Sequence, residues 1–291
     1  DETVLVIGPT GTGKELTAAM VHRLSRRASG PFIALNCGAI SANLIESELF
    51  GHERGSFTGA ERQRKGVFEQ AQGGTLFLDE ITEMAPDMQV RLLRVLESAM
   101  LTRVGGAGEV RLDVRIIAAT NRDPHEAVEA GVLRQDLLYR LYVFPLLLPL
   151  LRERGDDVQL LATSFLKELN DDNRTGKVFT PEALALMQAW HWPGNVRELR
   201  NVVRRAWVMA DDTIDSIDIV IEGAPAALPT SAPAPGQEVV LRPGMSIQDA
   251  EKQLIEATLT HVKGDKRTAS SLLGISLKTL YTRLSVYAAG R

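Results

Sequence analysis

Apolar residues in the first half of the chain fall into five short runs, each separated from the next by a segment with helical spacing. The runs lie near Val4, Ile33, Leu76, Ile116 and Phe144. Short runs of β-branched and other apolar residues are typical of strands that are buried on both faces of a parallel sheet. Because these strands alternate with helical segments, we predict an α/β fold with helices on both faces of the sheet.

The pattern changes after Pro149, where only helices are predicted. These helices cover residues 158–170, 181–190 and 197–210. We interpret 1–150 as the α/β subdomain and 151–222 as a helical lid subdomain with its hinge at 152–157. Residues 223–243 are rich in Pro, Ala and Gly, and this composition predicts a flexible, partly extended linker.

Residues 244–291 are predicted to form a small all-α helix-turn-helix domain. The predicted helices run from Ser246 to about Val262, over 267–273 and over 276–287. Gly274 lies in the tight turn between the last two helices. Leu277, Leu280 and Leu284 recur at helical spacing, so they are the predicted buried face of the last helix.

A glycine-rich segment, Gly8-Pro9-Thr10-Gly11-Thr12-Gly13-Lys14-Glu15, joins the first strand to the first helix. That helix is predicted to carry apolar residues on one face, at Leu16, Ala19, Met20 and Leu24. In this context backbone N–H groups at the helix N-terminus face phosphates, and Lys14 reaches the terminal ones. A purely structural turn is the alternative, but strand, spacing and lysine together favour a phosphate-binding loop. Glu15 stands where the general pattern has a Ser or Thr ligand for magnesium.

Two adjacent carboxylates, Asp79 and Glu80, follow the apolar strand at 75–78. Only one of two neighbouring side chains can share the strand-end direction. Asp79 is suited to hold Mg²⁺, directly or through water, and Glu80 is suited to orient and polarise an attacking water. An acidic helix N-cap is the alternative reading of such a pair. Combined with the phosphate-binding loop, the pair predicts nucleotide hydrolysis.

The segment Gly55-Ser56-Phe57-Thr58-Gly59-Ala60 places one phenylalanine among small residues in a strongly polar surround. The stretch has too few apolar residues for a core element, and its glycines let the backbone turn back on itself. One interpretation is a surface loop whose phenylalanine tucks onto its own base. The other is a loop that presents an apolar tip to a partner.

These motifs together resemble those of the sigma-54-dependent transcriptional activators, the bacterial enhancer-binding proteins. The family's phosphate loop usually reads GESGTGKE, so Glu15 is normal within it, and its characteristic loop reads GAFTGA, from which only Ser56 departs. The resemblance runs from Asp1 to the C-terminus. It implies an AAA+ ATPase that assembles as a hexameric ring, is dimeric when inactive, and uses ATP and Mg²⁺ to remodel the sigma-54 RNA polymerase holoenzyme. Within the family, Phe57 and Thr58 are the residues that contact sigma-54.

The resemblance also implies roles for further positions. Asn36 would restrain Glu80, and Thr120 and Asn121 would form a first sensor of the γ-phosphate or its water. Arg134 and Arg140, in a segment similar to the family's FRxDLYYRL, are candidate arginine fingers for a neighbouring subunit. A strand-end turn at Asn36 and surface ion pairs for the arginines are the alternatives.

The motif Trp192-Pro193-Gly194-Asn195-Val196-Arg197 resembles the family's second sensor. Pro193 and Gly194 are expected to break the preceding helix, and Asn195 is expected to cap the next one. Arg197 would then lie in the first turn of that helix and face the nucleotide.

The C-terminal segment is basic, although the whole chain has a net charge of −4. Residues 262–291 carry six Lys or Arg against one acid, a net charge of +5. A basic helix-turn-helix docks its second helix in the major groove of DNA. The candidate DNA contacts are Lys278, Thr279, Tyr281, Thr282 and Arg283. The segment resembles the Fis-type domain, which implies dimers on double-stranded enhancer DNA. An oligomerisation bundle with a solvated basic face is the alternative.

Composition limits the remaining possibilities. Cys37 is the only cysteine, which excludes an intrachain disulfide and fits a reducing bacterial cytoplasm. No apolar stretch is long enough to span a membrane. The chain opens at a strand, so we expect a regulatory segment upstream. Two other classes remain: a repressor or sigma-70 regulator with a degenerate motor, and an AAA+ remodelling chaperone or helicase.

Overall fold

The computed structural model describes residues 1–39, 42–56, 62–219, 221, 247–262, 265–275, 279–281 and 283–284. The chain divides into two compact units, Asp1–Val220 and Ile221–Arg291, and each is described on its own. Within the described ranges, no helix is long and apolar enough to cross a membrane.

A five-stranded parallel sheet forms the centre of the first unit, with strand order β2-β3-β6-β1-β7. The strands of the unit are β1 (Val4–Ile7), β2 (Phe32–Asn36), β3 (Thr75–Asp79), β4 (Met100–Thr102), β5 (Glu109–Arg111), β6 (Arg115–Thr120), β7 (Phe144–Leu147), β8 (Val178–Phe179) and β9 (Thr213–Ile214). All five predicted strands are present. Ile7 pairs with Thr120, and Asn36 pairs with Asp79, so their carboxyl ends meet at one edge of the sheet.

Helices cover both faces of this sheet, as predicted. Those before the lid are α1 (Lys14–Arg23), α2 (Ala42–Phe50), α3 (Val67–Gln70), α4 (Pro86–Ser98), α5 (Pro124–Glu129) and α6 (Gln135–Leu141). Side chains alternate between two cores because successive residues of a strand point to opposite faces. Leu76 and Leu78 enter the larger core, whereas Phe77 enters the smaller core with Ala18 of α1.

The predicted apolar face of α1 is not the face that packs on the sheet. Leu16, Met20 and Leu24 are 71%, 45% and 81% exposed, whereas Ala18 and His22 are buried. His22 Nδ1 lies 2.9 Å from the hydroxyl of Thr75 in β3, and this hydrogen bond allows a polar side chain to face the sheet. Because the glycine-rich loop buries Lys14, the face of α1 that carries Lys14, Ala18 and His22 turns toward the sheet. The face with the apolar spacing is therefore left exposed.

The lid contains the three predicted helices, α7 (Asp157–Asn173), α8 (Pro181–Ala189) and α9 (Asn195–Met209). The expectation of helices only was wrong, because β8 and β9 form a two-stranded parallel ladder in this region. The antiparallel hairpin of β4 and β5 was also not predicted. These strands have two or three residues each, which is too short to show a period of two in the sequence.

The second unit contains α10 (Ile247–His261) and α11 (Lys266–Leu272), close to the predicted boundaries. Ile255, Ala269 and Leu280 form its buried core, with Leu284 packed against it. Leu280 and Leu284 therefore lie on the predicted buried face, whereas Leu277 lies outside the described residues. Residues 279–281 and 283–284 are helical, as expected for the helix after the turn.

Candidate nucleotide site

The glycine-rich loop turns from β1 into α1 and buries Lys14, which is 8% exposed. Gly13 precedes the helix with φ of 99°, a conformation that glycine adopts without strain. Lys14 Nζ donates to the carbonyl oxygens of Gly8 at 2.9 Å and Pro9 at 3.3 Å. Burial lowers the pKa of the Lys14 ammonium, and the nearby carboxylates of Asp79 and Glu80 oppose that shift. The loop therefore holds a cation beside the acidic strand end.

Asp79 and Glu80 diverge where β3 ends. Glu80 has φ of 53°, in the left-handed region that non-glycine residues rarely adopt. Asp79 Oδ1 accepts a hydrogen bond from the Glu80 backbone N–H at 2.9 Å. The turn sends the two carboxylates in different directions, which the sequence had predicted from their adjacency. Strained backbone of this kind persists where the surrounding structure holds it in place.

Asn36 lies at the end of β2 but does not bond Glu80. Its Oδ1 accepts from the backbone N–H groups of Gly38 at 2.8 Å and Ala39 at 2.9 Å. The side-chain oxygen therefore forms a local turn, and the expected restraint of Glu80 by Asn36 stays a prediction. A Cβ built on Gly38 would lie 2.9 Å from Glu80 Oε2, so the turn itself is what faces the Glu80 carboxylate.

Cys37 lies inside this turn, beneath the strand ends. Its side chain is 3% exposed, and its backbone N–H donates to Asp79 O at 2.9 Å. Burial, with a further contribution from Asp79 and Glu80, raises the pKa of the thiol to about 12. The thiol is therefore protonated at neutral pH.

Thr120 and Asn121 follow β6 at the same edge. Thr120 is fully buried, and its hydroxyl lies 3.2 Å from that of Thr82 and accepts from Arg122 N–H at 3.1 Å. Asn121 is exposed, and its Nδ2 donates to Thr10 Oγ1 in the glycine-rich loop at 3.4 Å. Of the two predicted sensor residues, Asn121 is the one that reaches toward the phosphate loop.

Arg134 caps the start of α6 and Arg140 lies in its last turn, both on exposed surface. Arg134 donates from Nε and Nη2 to the Asp136 carboxylate at 3.0 and 2.6 Å. Arg140 donates from Nη2 to Leu96 O at 2.9 Å. The hydrogen bonds of both guanidinium groups therefore go to Asp136 and Leu96 and not to the glycine-rich loop.

The lid contacts the glycine-rich loop through residues at its hinge and at the start of α9. The backbone N–H of Arg197 donates to Gly11 O at 3.3 Å, so the predicted second-sensor arginine lies beside the loop. Asn195 does not cap α9, because Gly194 occupies that position and Asn195 is the first helical residue. Instead the Asn195 side chain donates to Thr10 O at 3.0 Å. Arg154, which the sequence analysis did not single out, donates to Thr12 O at 2.9 Å.

The residues on either side of the predicted 55–60 loop are bridged to each other. Phe57, Thr58, Gly59 and Ala60 lie outside the described residues, whereas Gly55 and Ser56 are described. His52 bridges both Arg64 and Val104, which joins the two stems of the loop to the β4–β5 hairpin.

Arg103, in the hairpin, is a residue that sequence reasoning missed. Its guanidinium donates to Glu53 at 2.9 Å and to Glu69 at 2.8 and 2.7 Å. These bonds lower the pKa of both carboxyl groups and raise that of Arg103. One arginine therefore ties the hairpin to the loop stem and to α3.

Three of the five candidate DNA contacts fall within the described second unit. Thr279, Tyr281 and Arg283 are helical, whereas Lys278 and Thr282 lie outside the described residues. Arg283 Nε pairs with Glu251 Oε1 in α10 at 3.0 Å. The ammonium of Lys266 lies 4.8 Å from the centre of the Tyr281 ring. Arg283 is thus engaged inside the domain, although it was predicted to read bases.

A parallel sheet whose first strand turns through a lysine-containing glycine loop, under a helical lid, places this chain in the class of AAA+ ATPases. Residues 1–147 match the sigma-54 interaction domain, and residues 152–228 match the AAA+ ATPase lid domain. Residues 246–287 match the Fis family of bacterial regulatory proteins. The chain belongs to the family of sigma-54-dependent transcriptional regulators.

Relatives from several bacteria are similar over nearly the whole chain. The transcriptional regulatory protein ZraR of Salmonella typhimurium is 46% identical over 287 residues, covering 98% of this chain and 63% of the relative. The DNA-binding transcriptional regulator NtrC of Rhizobium meliloti is 41% identical over 326 residues, covering 100% and 67%. The crystal structure of NtrX from Brucella abortus in complex with ATP has a TM-score of 0.69 and 32% identity, covering 98% and 63%. The chain thus spans about three fifths of the length of several such relatives.

Proposed function

We propose that this chain binds ATP with Mg²⁺, hydrolyses the ATP, and uses the energy to remodel sigma-54 RNA polymerase at promoters. The observation that carries the proposal is the buried Lys14 ammonium beside the diverging carboxylates of Asp79 and Glu80 at one strand edge. Hydrolysis needs a cation for the phosphates, a carboxylate for the metal and a second carboxylate for water. Lys14 follows β1 and the two carboxylates end β3, and the carboxyl ends of these strands lie at the same edge of the sheet.

Each side chain then has one task. Lys14 exchanges its bonds to the Gly8 and Pro9 carbonyls for bonds to phosphate oxygens. Asp79 is the residue that would hold Mg²⁺, since a half-buried carboxylate at a strand end is the oxygen ligand that this ion prefers. The metal would supply positive charge that neutralises the phosphates. Glu80 orients the attacking water and accepts its proton, and the turn at Gly38 limits where its carboxylate can lie.

The ring and its coupling to sigma-54 are the second part of the proposal. Arg134 or Arg140 would complete the site of the next subunit in a hexamer, with a dimer as the inactive form. The loop over 55–60, led by Phe57 and Thr58, would contact sigma-54. Support comes from the base of this loop, which is joined through Arg103 to the hairpin and to α3, so a movement of α3 or of the hairpin would reach the loop.

The remaining part is DNA binding by residues 244–291, connected through a linker over 223–243 to a motor made of 1–150 and 151–222. The match of 246–287 to the Fis family and the net charge of +5 over 262–291 support binding to double-stranded enhancer DNA. The two-fold pairing expected of such domains would suit palindromic sites.

Two substitutions test the hydrolytic core. Lys14→Ala is expected to abolish ATP binding, because it removes the cation that contacts the phosphates. Glu80→Ala is expected to keep binding and to lose turnover by about 10²–10⁴-fold, the usual contribution of a general base. Open-complex formation at a sigma-54 promoter should fail with both variants. Unchanged ATPase activity in the Glu80 variant, or promoter opening without hydrolysis, would overturn the proposal; unfolding of a substrate protein instead would indicate a chaperone.

A further inference from the structure

Three consecutive carbonyl groups of the glycine-rich loop accept hydrogen bonds from the lid. The three pairs are Asn195 Nδ2 to Thr10 O at 3.0 Å, Arg197 N to Gly11 O at 3.3 Å, and Arg154 Nη2 to Thr12 O at 2.9 Å. We name these three donors the lid clamp. The lid clamp therefore joins the lid directly to the backbone of the glycine-rich loop.

The approach of lid and loop depends on the absence of a side chain at Gly11. A Cβ built on Gly11 would lie 2.3 Å from Gly194 O, and Gly11 has φ of 82°. Any larger residue would push the turn before α9 away from the loop. Close backbone contact at this point is therefore a built feature of the fold.

Asn195 uses both ends of its amide group. While Nδ2 donates to Thr10 O, Oδ1 accepts from the backbone N–H of Leu151 at 2.9 Å. Leu151 begins the short 3₁₀ helix that opens the lid, and Asn195 is fully buried. Asn195 also has φ of 52°, a left-handed conformation for which asparagine is enriched. A single side chain therefore links the phosphate loop, the hinge of the lid and the start of α9.

We propose that Asn195 is a positioning residue for the nucleotide phosphates, assisted by Arg154. The inference rests on the proposed ATPase function. In a trans peptide the C=O and the following N–H point in opposite directions. Holding the carbonyls of Thr10 and Thr12 on the lid side therefore fixes the directions of the N–H groups of Gly11 and Gly13.

The clamp also changes the strength of these N–H groups as donors. A hydrogen bond to the carbonyl polarises the same peptide and strengthens its N–H. Phosphate affinity then depends on the lid. By linkage, bound nucleotide stabilises the lid position that the clamp defines.

Asn195→Asp tests this role with almost no change in volume. One carboxylate oxygen continues to accept from Leu151, while the other faces the Thr10 carbonyl, where two acceptors repel. In the full 291-residue chain we expect the KM for ATP and the Kd for ADP to rise about tenfold or more, from the loss of one buried hydrogen bond. The kcat should change less, because Glu80 and its turn at Gly38 are not touched.

Asn170→Asp is the matched control in the same lid. Asn170 Nδ2 donates to Lys177 O at 2.8 Å and lies in α7, with no bond to the loop. This control should lower thermal stability and leave KM unchanged. If both variants change KM equally in proportion to their loss of stability, Asn195 is merely structural and the positioning role is overturned.

If Asn195→Asp does not fold, Arg154→Ala decides the question. Arg154 is half-buried and is the second side chain of the clamp, so its removal should raise KM while the fold remains intact. Arg152→Ala, at an exposed neighbour that bonds no loop carbonyl, is its control. Unchanged nucleotide affinity in the folded clamp variants overturns the inference, whereas a wild-type chain that binds neither ATP nor ADP overturns the proposed function itself.

Discussion

The carboxylate of Glu80 occupies the space that a side chain at Gly38 would need, because a Cβ built there lies 2.9 Å from Glu80 Oε2. The obstacle is the end of a flexible side chain, so Gly38→Ala should fold and displace the carboxylate. We expect kcat to fall by roughly 10–10²-fold with KM for ATP nearly unchanged, since small misplacements of a reacting group are costly. Steady-state kinetics measure both values. Gly176→Ala, where a new Cβ meets nothing within 4 Å, is the control, and equal kcat in both variants would count against the assignment of Glu80.

Arg134 and Arg140 are expected to act between subunits. Removing at least one of them should lower turnover by about 10³–10⁵-fold, the contribution of other arginine fingers. Mixing that variant with Glu80→Ala subunits should restore some ATPase activity, because some mixed interfaces combine an intact finger with an intact Glu80. Lys167→Ala removes an exposed cation of the lid and should have no effect. No recovery in rings confirmed to be mixed would rule out a shared site.

Ser56 carries a buried hydroxyl that has no hydrogen-bond partner in the described part of the chain. Ser56→Ala removes this unsatisfied group and should stabilise the protein by about 1 kcal/mol. Promoter opening should be retained or slightly increased. Ser98→Ala is the opposite case. The Ser98 hydroxyl donates to Arg94 O at 2.8 Å, so losing this hydrogen bond should destabilise the protein. Thermal unfolding compares the two variants, and a lower midpoint for Ser56→Ala would refute the argument.

Acid stability should depend on the pair of Arg103 and Glu69. The arginine lowers the pKa of Glu69, so the folded protein binds fewer protons than the unfolded chain near the ordinary glutamate pKa of about 4.3. The stabilisation is present above that pKa and is lost as pH falls through the lower folded value. Arg103→Ala should therefore move acid unfolding to higher pH, as followed by circular dichroism. Arg200→Ala, which breaks an exposed pair with Glu168, should not.

DNA binding should respond to the release of Arg283. Glu251→Gln removes the carboxylate that holds Arg283 at 3.0 Å, so the guanidinium becomes available to DNA. If Arg283 reaches a phosphate, affinity rises for all DNA sequences, and the slope of log affinity against log salt concentration becomes steeper by about one unit. If Arg283 reads a base, the sequence preference changes instead. Glu256→Gln makes the same charge change on α10, at a carboxylate with no ion pair among the described residues. Identical DNA binding by the two variants would mean that Arg283 stabilises the domain through its ion pair and does not contact DNA.

The sequence predicted the sheet, the glycine-rich loop and the acidic pair because each depends on local spacing. Strand, loop and helix are consecutive in the chain, and their order fixes where Lys14 and Asp79 meet. The Trp192-Pro193-Gly194-Asn195 motif likewise indicated a helix start near the nucleotide.

The remaining contacts join positions far apart in the chain, and no local pattern records them. Arg103 lies 34 residues from Glu69, and Asn195 lies 185 residues from Thr10. The turn formed by Asn36 is of another kind, because it is local. Its Oδ1 accepts from the backbone N–H groups of Gly38 and Ala39, two and three residues on, as asparagine side chains commonly do at turns.

Cys37 is a built-in reporter at the sheet edge that carries Asp79 and Glu80. Only a thiolate reacts rapidly with electrophiles, and this buried thiol, with a pKa of about 12, is protonated at neutral pH. Its modification therefore requires the turn that follows β2 to open. Since the chain has a single cysteine, the rate of thiol labelling measures how often this edge opens, and no cysteine has to be introduced by mutation.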